Sequence, residues 1–492
     1  MSDREQDVRR ERLDAIRAAG VDPFPARVGG WTAIAELRAR HEEQDAETLD
    51  SAEVKAALVG RVRAVRSFGK LLFLDVVEDG VGFQVSARKG DTPDETFAFL
   101  RGVDVGDFVR VSGRIWRTKK GELSLAAAEA VLLAKSLRPL PEKWHGLSDV
   151  ETRLRQRHLD LLANPRAREV AILRSRMVSA LRRFLDDRGF LEVETPVLQP
   201  LYGGAAARPF TTHHETYDQP IYLRISDELY LKRLVIGGLD RVYEIGHDFR
   251  NEGVSRKHNP EFTMLECYEA YADFEDMMRL TEGMVKAAAD AVLGTQQLVY
   301  QEQEIDLGGS WPRVRMDEAI RDATGVDVLA AADLPSLREA ITAAGLAVPE
   351  AASWAKLVDE LFSDHVEPKL VQPTFITHHP AALSPLAKRS AEDPRVVERF
   401  EVFVAGFELG NAFSELNDPD DQRDRFEEQS IAALAGDDET QPVDEDFLAA
   451  LEHGMPPTGG FGLGVDRLAM LLADTAHIRE VILFPHLRPE QG

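Results

Sequence analysis

The sequence predicts an α+β multidomain protein in which a small closed β-barrel of the OB-fold kind precedes a larger domain of helices and strands. Three observations predict it. The chain has 492 residues, more than one compact core accommodates, so two or more domains are expected. Residues 54 to 135 hold five short alternating runs, AALVGRVRAV, KLLFLDVVE, GFQVSA, DFVRVSGRIWR and ELSLAAAEAVLL, separated by glycine turns, the pattern of a small barrel. Beyond about residue 150 the runs lengthen into helices alternating with strands.

In chain order, residues 1–53 read as a charged helical segment, with GVDPFP at 20–25 stopping the first helix. Residues 54–137 form the barrel domain. The stretch 138–152 has two prolines before residue 142 and little periodicity, and reads as a linker. Residues 153–492 form the larger domain. Its first strong helix spans 167 to 188 and ends at Gly189, and FLEVETPVL then alternates as a strand until Pro196 interferes. A strand pair is expected around IYLRISDELYLKRLVIGG and RVYEIGHDFRNEG, with HDFRNEG as the turn. A mainly helical insertion is expected around 276–375. The end returns to strands in RFEVFVAGFELGNAFSEL, followed by the glycine-rich strand-to-helix passage GGFGLGVDRLAMLLAD.

Composition narrows the function. The apolar share of 44% is that of a globular protein. One cysteine, Cys267, excludes an internal disulfide and a cysteine-based zinc site, which suits a reducing compartment. The charged N-terminus lacks the apolar core of a signal peptide and no apolar run is long enough to span a bilayer, so a cytoplasmic protein without membrane association is expected. With 59 Lys and Arg against 85 Asp and Glu, the net charge of −26 argues against coating nucleic acid with the whole surface. Residues 54–135, however, carry 14 Lys and Arg against 10 Asp and Glu, a net +4. Phe73 and Gln84 fall on strands beside Arg66 there, which suits stacking and edge-reading of unpaired bases, although Phe73 serves equally well as core.

Chemistry must come from arginines and carboxylates far apart in sequence. No glycine-rich loop ends in Lys-Ser or Lys-Thr, and HHE at 213–215 lacks the second histidine of a zincin helix. Arg250 and Arg467 can each grip phosphate oxygens as a fork, and Glu401 with Glu408 could hold magnesium against a triphosphate. The glycines of GGFGLG allow close backbone approach to a ligand.

Taken together, these stretches resemble the class II aminoacyl-tRNA synthetases, and within them the lysyl-tRNA synthetase family, from about residue 20 to the C-terminus. FLEVETP resembles the dimer-interface motif, FRNEG with HNPEF the ATP-binding hairpin, and GFGLGVDR the third, ATP-binding motif. GGAAARPF, DELYLKRL, PEFTMLECYEAYAD and ELGNAFSELNDPDDQRDRF carry the lysine-specific likeness. The resemblance implies an antiparallel catalytic sheet flanked by helices, a homodimer, magnesium as cofactor, and ATP, L-lysine and tRNA(Lys) as partners. It also implies roles for residues. Arg250 would contact the α-phosphate and the lysine carboxylate, while Glu252, His258, Asn259 and Phe262 hold the nucleotide. Arg467 would grip the γ-phosphate, and Glu401 and Glu408 would position magnesium. Gly204 and Glu228 would meet the α-ammonium, Asn411 the carboxylate, and Glu266, Tyr268 and Glu415 the ε-ammonium, with Phe413 as an apolar wall. Arg66, Phe73, Gln84 and Glu122 match positions that read anticodon bases.

Two departures stand out. Many relatives carry Arg-Asn where this chain has His247 and Asp248, and an arginine where it has Phe407, so Asp248 is expected to add negative charge near phosphates. Class I nucleotide signatures are missing. Aspartyl- or asparaginyl-tRNA synthetases share the domain plan, but an acidic distal pocket disfavours a substrate ending in carboxylate or amide. A ligase that lysylates a translation factor lacks the barrel. A degenerate paralogue acting only as an RNA-binding protein would have no need of Arg250, Glu401, Glu408 and Arg467.

Overall fold

The structure is a computed structural model that describes residues 2–140, 147–351, 353–434 and 441–490. The chain divides into two compact units, Met1–Gly146 and Leu147–Gly492. Residues 141–146 of the expected linker lie outside the described residues, and the helix Val150–Arg155 begins inside that stretch, where Asp149 caps it by accepting from the Thr152 amide.

In the first unit, the helices Ser2–Ala18, Ile34–His41 and Ala46–Ala52 precede a closed five-stranded barrel. Lys55–Phe68 pairs with both Leu71–Glu78 and Phe108–Arg117, which closes the ring through Val81–Arg88 and Leu123–Ala134. Alternation fixes the core: Leu58, Val62, Leu74, Val76, Val85, Val109 and Leu125 point inward and are fully buried. Gly113 permits the closure, because a Cβ there would lie 1.9 Å from the Ala126 carbonyl oxygen. The short helix Asp94–Gly102, unforeseen in the sequence, adds Phe97 and Leu100 to this core. Phe73 is not part of it. The ring is half-buried on the opposite face, edge-on to the exposed Phe68 at 6.4 Å between centroids.

The second unit is built on an eight-stranded sheet in the order Arg313–Arg315, Thr374–Thr377, Arg399–Val404, Phe407–Ser414, Thr458–Gly464, Glu261–Ala270, Arg241–Phe249, Leu191–Glu192, antiparallel except for its two outermost pairs. One face is covered by the helices Pro165–Asp186, Phe274–Leu293 and Val465–Leu472, whose Met177, Leu181, Met277, Met284 and Leu468 pack on Phe400, Phe461, Leu463 and Cys267. The other face carries the polar residues.

Four expectations need correcting. DELYLKRLVIGG is the helix Glu228–Ile236, not a strand: its buried residues Glu228, Leu229, Leu231, Lys232 and Val235 recur at helical spacing, and Gly237 ends it. FLEVETPVL shrinks to the two-residue strands Leu191–Glu192 and Leu198–Gln199 around Pro196. The region 276–375 is less helical than expected, because a hairpin (Gln297–Tyr300 with Gln303–Asp306) and the sheet strands Arg313–Arg315 and Thr374–Thr377 interrupt it. HDF of HDFRNEG continues the strand Arg241–Phe249, so the turn runs from Arg250 to Pro260, closed by the Arg250 amide donating to the Pro260 carbonyl at 2.9 Å.

Strand geometry decides the fate of the two residues that depart from the family pattern. His247 points to solvent and meets Glu261 at 2.8 Å, whereas Asp248 points inward and is fully buried. Asp248 lies 3.3 Å from Arg224, which also contacts Asp227 at 2.8 Å and Glu244 at 2.6 Å. The expected negative charge does lie on the face of the sheet that carries Phe262, its register partner, but it is buried there against Arg224 rather than exposed. Three carboxylates share one guanidinium. Burial, then the neighbouring carboxylates, push Asp227 up to about 10, and burial pushes Asp248 up to about 7.

Candidate active site

The polar face of the sheet derives from one register. Glu266 and Tyr268 lie opposite Gly462 and Gly460 on the neighbouring strand, and those glycines lie opposite Asn411 and Phe413 on the next. Asn411 in turn lies opposite Glu401. Since side chains alternate, all of these project to the face away from Cys267, Phe461 and Ala412, and the central glycines leave its floor open. The openness is obligatory at Gly460, where a Cβ would sit 1.9 Å from Glu415 Oε1 and 2.5 Å from Tyr268 Cε1.

A cavity of about 540 Å³ stands on this floor. Its walls contain every catalytic-domain residue singled out in the sequence: Gly204, Glu228, Arg250, Glu252, His258, Asn259, Phe262, Glu266, Tyr268, Glu401, Glu408, Asn411, Phe413, Glu415 and Arg467. Gly204 enters with φ +87°, and a Cβ on it would lie 2.8 Å from Ser226 Oγ.

One end of the cavity is a nest of buried carboxylates. Glu266 accepts from Ser226 Oγ at 2.8 Å, the Asp227 amide at 3.2 Å and Tyr268 Oη at 3.1 Å. Glu228 and Glu415 face the ammonium of Lys232, which is 2.5 Å from Glu228 Oε1 and in contact with Glu415 Oε2. Burial alone would favour the neutral amine of Lys232, but Glu228 and Glu415 outweigh it and hold the ammonium. Burial likewise pushes all three carboxylates up, Glu228 to about 7 even with Lys232 beside it. Lys232 is the ammonium in contact with Glu228 and Glu415, while Arg399 and Arg250 act on Glu228 and Glu266 from farther along the cavity, and the three carboxyls still stay above their ordinary range, which marks the nest as short of positive charge.

The other end presents arginines. The Arg250 guanidinium lies 5.1 Å from the Phe262 ring centroid, and Asn259 nearby has a buried side-chain oxygen without a partner. Arg467 projects from the first turn of the helix Val465–Leu472, with Nη1 donating to Glu408 Oε2 at 3.0 Å and to the Glu408 carbonyl at 2.9 Å. Its Nη2 lies 3.0 Å from His258 Nε2. Partial burial and the cations Arg467, Lys257 and Arg250 push His258 down to about 4. The imidazole is therefore neutral, accepting from Arg467 at Nε2 and donating from Nδ1 to Ser255 Oγ at 2.8 Å. Glu401 is clamped by Arg399 Nη2 at 2.5 Å, and Arg399 Nε donates to Asn411 Oδ1 at 2.9 Å. Burial pushes Glu401 up, but Arg399 and His379 outweigh it and hold it at about 2.

Lys232, Arg399 and Ser226 are not singled out by any motif of the sequence. DELYLKRL reads locally as a strand, which hides the one-turn spacing of Glu228 and Lys232. Asp466 was missed as a brace: it accepts from the Thr263 amide at 2.7 Å and from Arg174 Nη2 at 2.7 Å, locking the helix that carries Arg467 to the central strand. No cluster of three or more metal-ligating side chains exists among the described residues.

On the barrel, Arg66, Phe73, Gln84 and Glu122 line one broad concave face. Arg66 forms a fork on Asp75, at 2.7 and 3.1 Å, and reaches Gln84 Oε1 at 3.3 Å. Glu122 is exposed, 3.8 Å from Arg38.

Comparison with known proteins agrees with this geometry. Residues 149–488 match the tRNA synthetases class II (D, K and N), and residues 56–133 match an OB-fold nucleic acid binding domain. A lysine–tRNA ligase of Roseiflexus castenholzii is 54% identical over 99% of both chains. The chain belongs to the class II lysine–tRNA ligase family. The synthetase is also 54% identical to a lysine–tRNA ligase of Chloroflexus aurantiacus, over 98% of this chain and 97% of the relative. With that of Bacillus subtilis it shares 47% identity, over 98% and 96%. None of its described helices is long and apolar enough to cross a membrane.

Proposed function

We propose that this synthetase activates L-lysine with ATP to lysyl-adenylate and transfers the lysyl group to the 3′ end of tRNA(Lys), in the cytoplasm. The carrying observation is the charge count of the nest. Glu228, Glu266 and Glu415 converge with Lys232 as the ammonium in contact with two of them, and burial holds all three carboxyls above their ordinary range; such a site gains from added cations, and lysine brings two ammonium groups. Aspartate or asparagine brings one, and would set a carboxylate or amide among carboxylates.

In activation, a lysine carboxylate oxygen attacks the α-phosphorus, the bond to the bridging oxygen breaks, and pyrophosphate leaves with the electron pair. The attacking carboxylate is already ionised, so alignment and charge stabilisation are the main demands. Arg250 meets the α-phosphate and lysine carboxylate, with Asn411 assisting. Phe262 stacks on adenine, and Glu252, His258 and Asn259 line the nucleotide subsite. Arg467, aimed by Glu408 and His258, grips the γ-phosphate. Gly204 and Glu228 receive the α-ammonium, Glu266, Tyr268 and Glu415 the ε-ammonium, and Phe413 packs on the aliphatic stem. Glu401 and Glu408 fit magnesium: both are oxygen donors on the cavity wall, Glu408 beside Arg467, and this ion takes one or two carboxylates plus phosphate oxygens rather than a closed protein cage. Bound there, magnesium would neutralise charge on the triphosphate. Arg66, Phe73, Gln84 and Glu122 contact anticodon bases. The exposed Leu191, Val197 and Leu198 support a homodimer through the segment around 167–200.

The test is amino-acid-dependent pyrophosphate exchange across all twenty amino acids. Lysine alone should support exchange, and activation of aspartate or asparagine in its place would overturn the reading. A monomer in sedimentation at micromolar concentration would overturn the dimer.

A further inference from the structure

Lys232 is fully buried, does not line the cavity, and still touches two carboxylates that do. Its position follows from the helix Glu228–Ile236: Glu228 and Lys232 are one turn apart, so Nζ reaches back to Glu228 while Glu415 arrives from beyond the strand Phe407–Ser414. Two aromatic rings flank the ammonium, those of Phe413, which lines the cavity, and Phe447, with centroids 5.4 and 5.9 Å from Nζ. Among the described residues, Glu228 and Glu415 are the carboxylates in contact with it. Glu228 and Glu415 therefore line the cavity while Lys232, in contact with both, does not. Two carboxylates side by side in such a place repel each other unless a cation stands between them.

We propose that Lys232 is a positioning residue for amino-acid selection: its ammonium binds Glu228 and Glu415 into one fixed pair and cancels one of the nest's three negative charges, so that the cavity matches a substrate with two ammonium groups. This inference rests on the assignment of lysine as substrate. Lys232 touches no ligand and acts through the carboxylates alone. Without it, Glu415 loses the partner that holds its carboxylate in place beside Gly460, and the nest carries three negative charges for two incoming cations. The nest then takes up a proton or splays, and either change weakens its grip on the substrate ammonium groups.

The measurement is lysine- and ATP-dependent pyrophosphate exchange by the full-length chain. Lack of lysine-dependent exchange in the unmodified protein would defeat the substrate assignment itself, before any variant is compared. Given that exchange, Lys232→Met, close to lysine in length and volume, should raise the lysine KM by tenfold or more and leave the ATP KM within threefold. In Lys232→Ala, added methylammonium or ethylammonium should restore part of the lysine affinity, whereas tetramethylammonium should not. A folded Lys232→Met protein with lower thermal stability but an unchanged lysine KM would overturn the proposal, since it would make the contact a structural ion pair only. Should the single variants fail to fold, Glu415→Gln is compared with Lys232→Met/Glu415→Gln, in which the nest returns to two net negative charges. The double variant should bind lysine severalfold more tightly than Glu415→Gln alone. Equal or weaker binding would overturn the role of charge matching.

Discussion

The barrel face and the catalytic cleft use the same chemical groups under opposite physical conditions. On the barrel, Arg66 forks onto Asp75 with both side chains substantially exposed, so water and salt screen the pair and either partner can be surrendered to a nucleotide. In the cleft, Lys232 and Glu415 meet with no exposure at all, so neither can be left alone without a heavy desolvation cost. The difference teaches where specificity is stored. An exposed platform can exchange partners and suits a large, flexible ligand. A buried nest has a fixed charge count and suits a small one.

Four experiments press on that contrast, beginning with the largest effect. Glu415→Gln removes one partner of a desolvated ammonium, which costs roughly 2 to 5 kcal/mol. Lysine affinity should fall by about thirty-fold to several thousand-fold, while ATP affinity changes little, because Arg250, Phe262 and Arg467 lie at the other end of the cavity. An unchanged lysine KM would break the description of the nest.

Phe73→Ala comes next. The half-buried ring lies outside the barrel core, so its loss should weaken tRNA binding by about 1 to 3 kcal/mol, the contribution of one stacked base. Thermal stability and lysine activation without tRNA should be preserved. A comparable loss in adenylate formation would erase the distinction between the two regions.

Asp248→Asn tests the buried Arg224 cluster from the stability side. Burial raises the Asp248 carboxyl from 3.8 to about 7 in the fold, so the folded chain binds its proton more tightly than the unfolded chain does. Stability from this group is complete below about pH 4 and is lost as pH rises through about 7. The neutral amide escapes that loss. The gain in thermal midpoint should therefore be near zero at pH 4, grow towards pH 7 and level off above it, and a gain independent of pH would contradict the burial argument. The smallest effect belongs to Asp75→Asn: the exposed pair with Arg66 contributes about 0.2 to 1 kcal/mol to stability, and that contribution should vanish in high salt. A salt-insensitive loss in denaturant titration would show that the barrel face is less open than its exposure implies.

The legible part of the molecule was the part written in local pattern. The five barrel strands follow from alternation, and GFGLGVDR places Arg467 in the first turn of a helix after a strand, as the structure has it. The cavity's membership came from family resemblance in separate strings, and the register of the central strands supplies the physical reason those strings converge. What stayed hidden depends on contacts between distant segments. The helix Glu228–Ile236 was misread because IYL and LVI are strand-like at short range, and with it went Lys232. Asp248 reads as a loop residue because nothing beside it announces Arg224, twenty-four positions earlier in the chain. Arg399 and Asp466 hold Glu401 and the Arg467 helix in place by partners no window of sequence contains.

Gly460 carries one consequence for chemotherapy aimed at such an enzyme. A compound reaching the floor meets open backbone at Gly462, whereas Gly460 is already roofed by Glu415 and Tyr268. Enlargement at Gly460 is closed, since even alanine there would collide with Glu415 and Tyr268. At that one point of the floor, escape by substitution and an undisturbed arrangement of Glu415 and Tyr268 exclude each other.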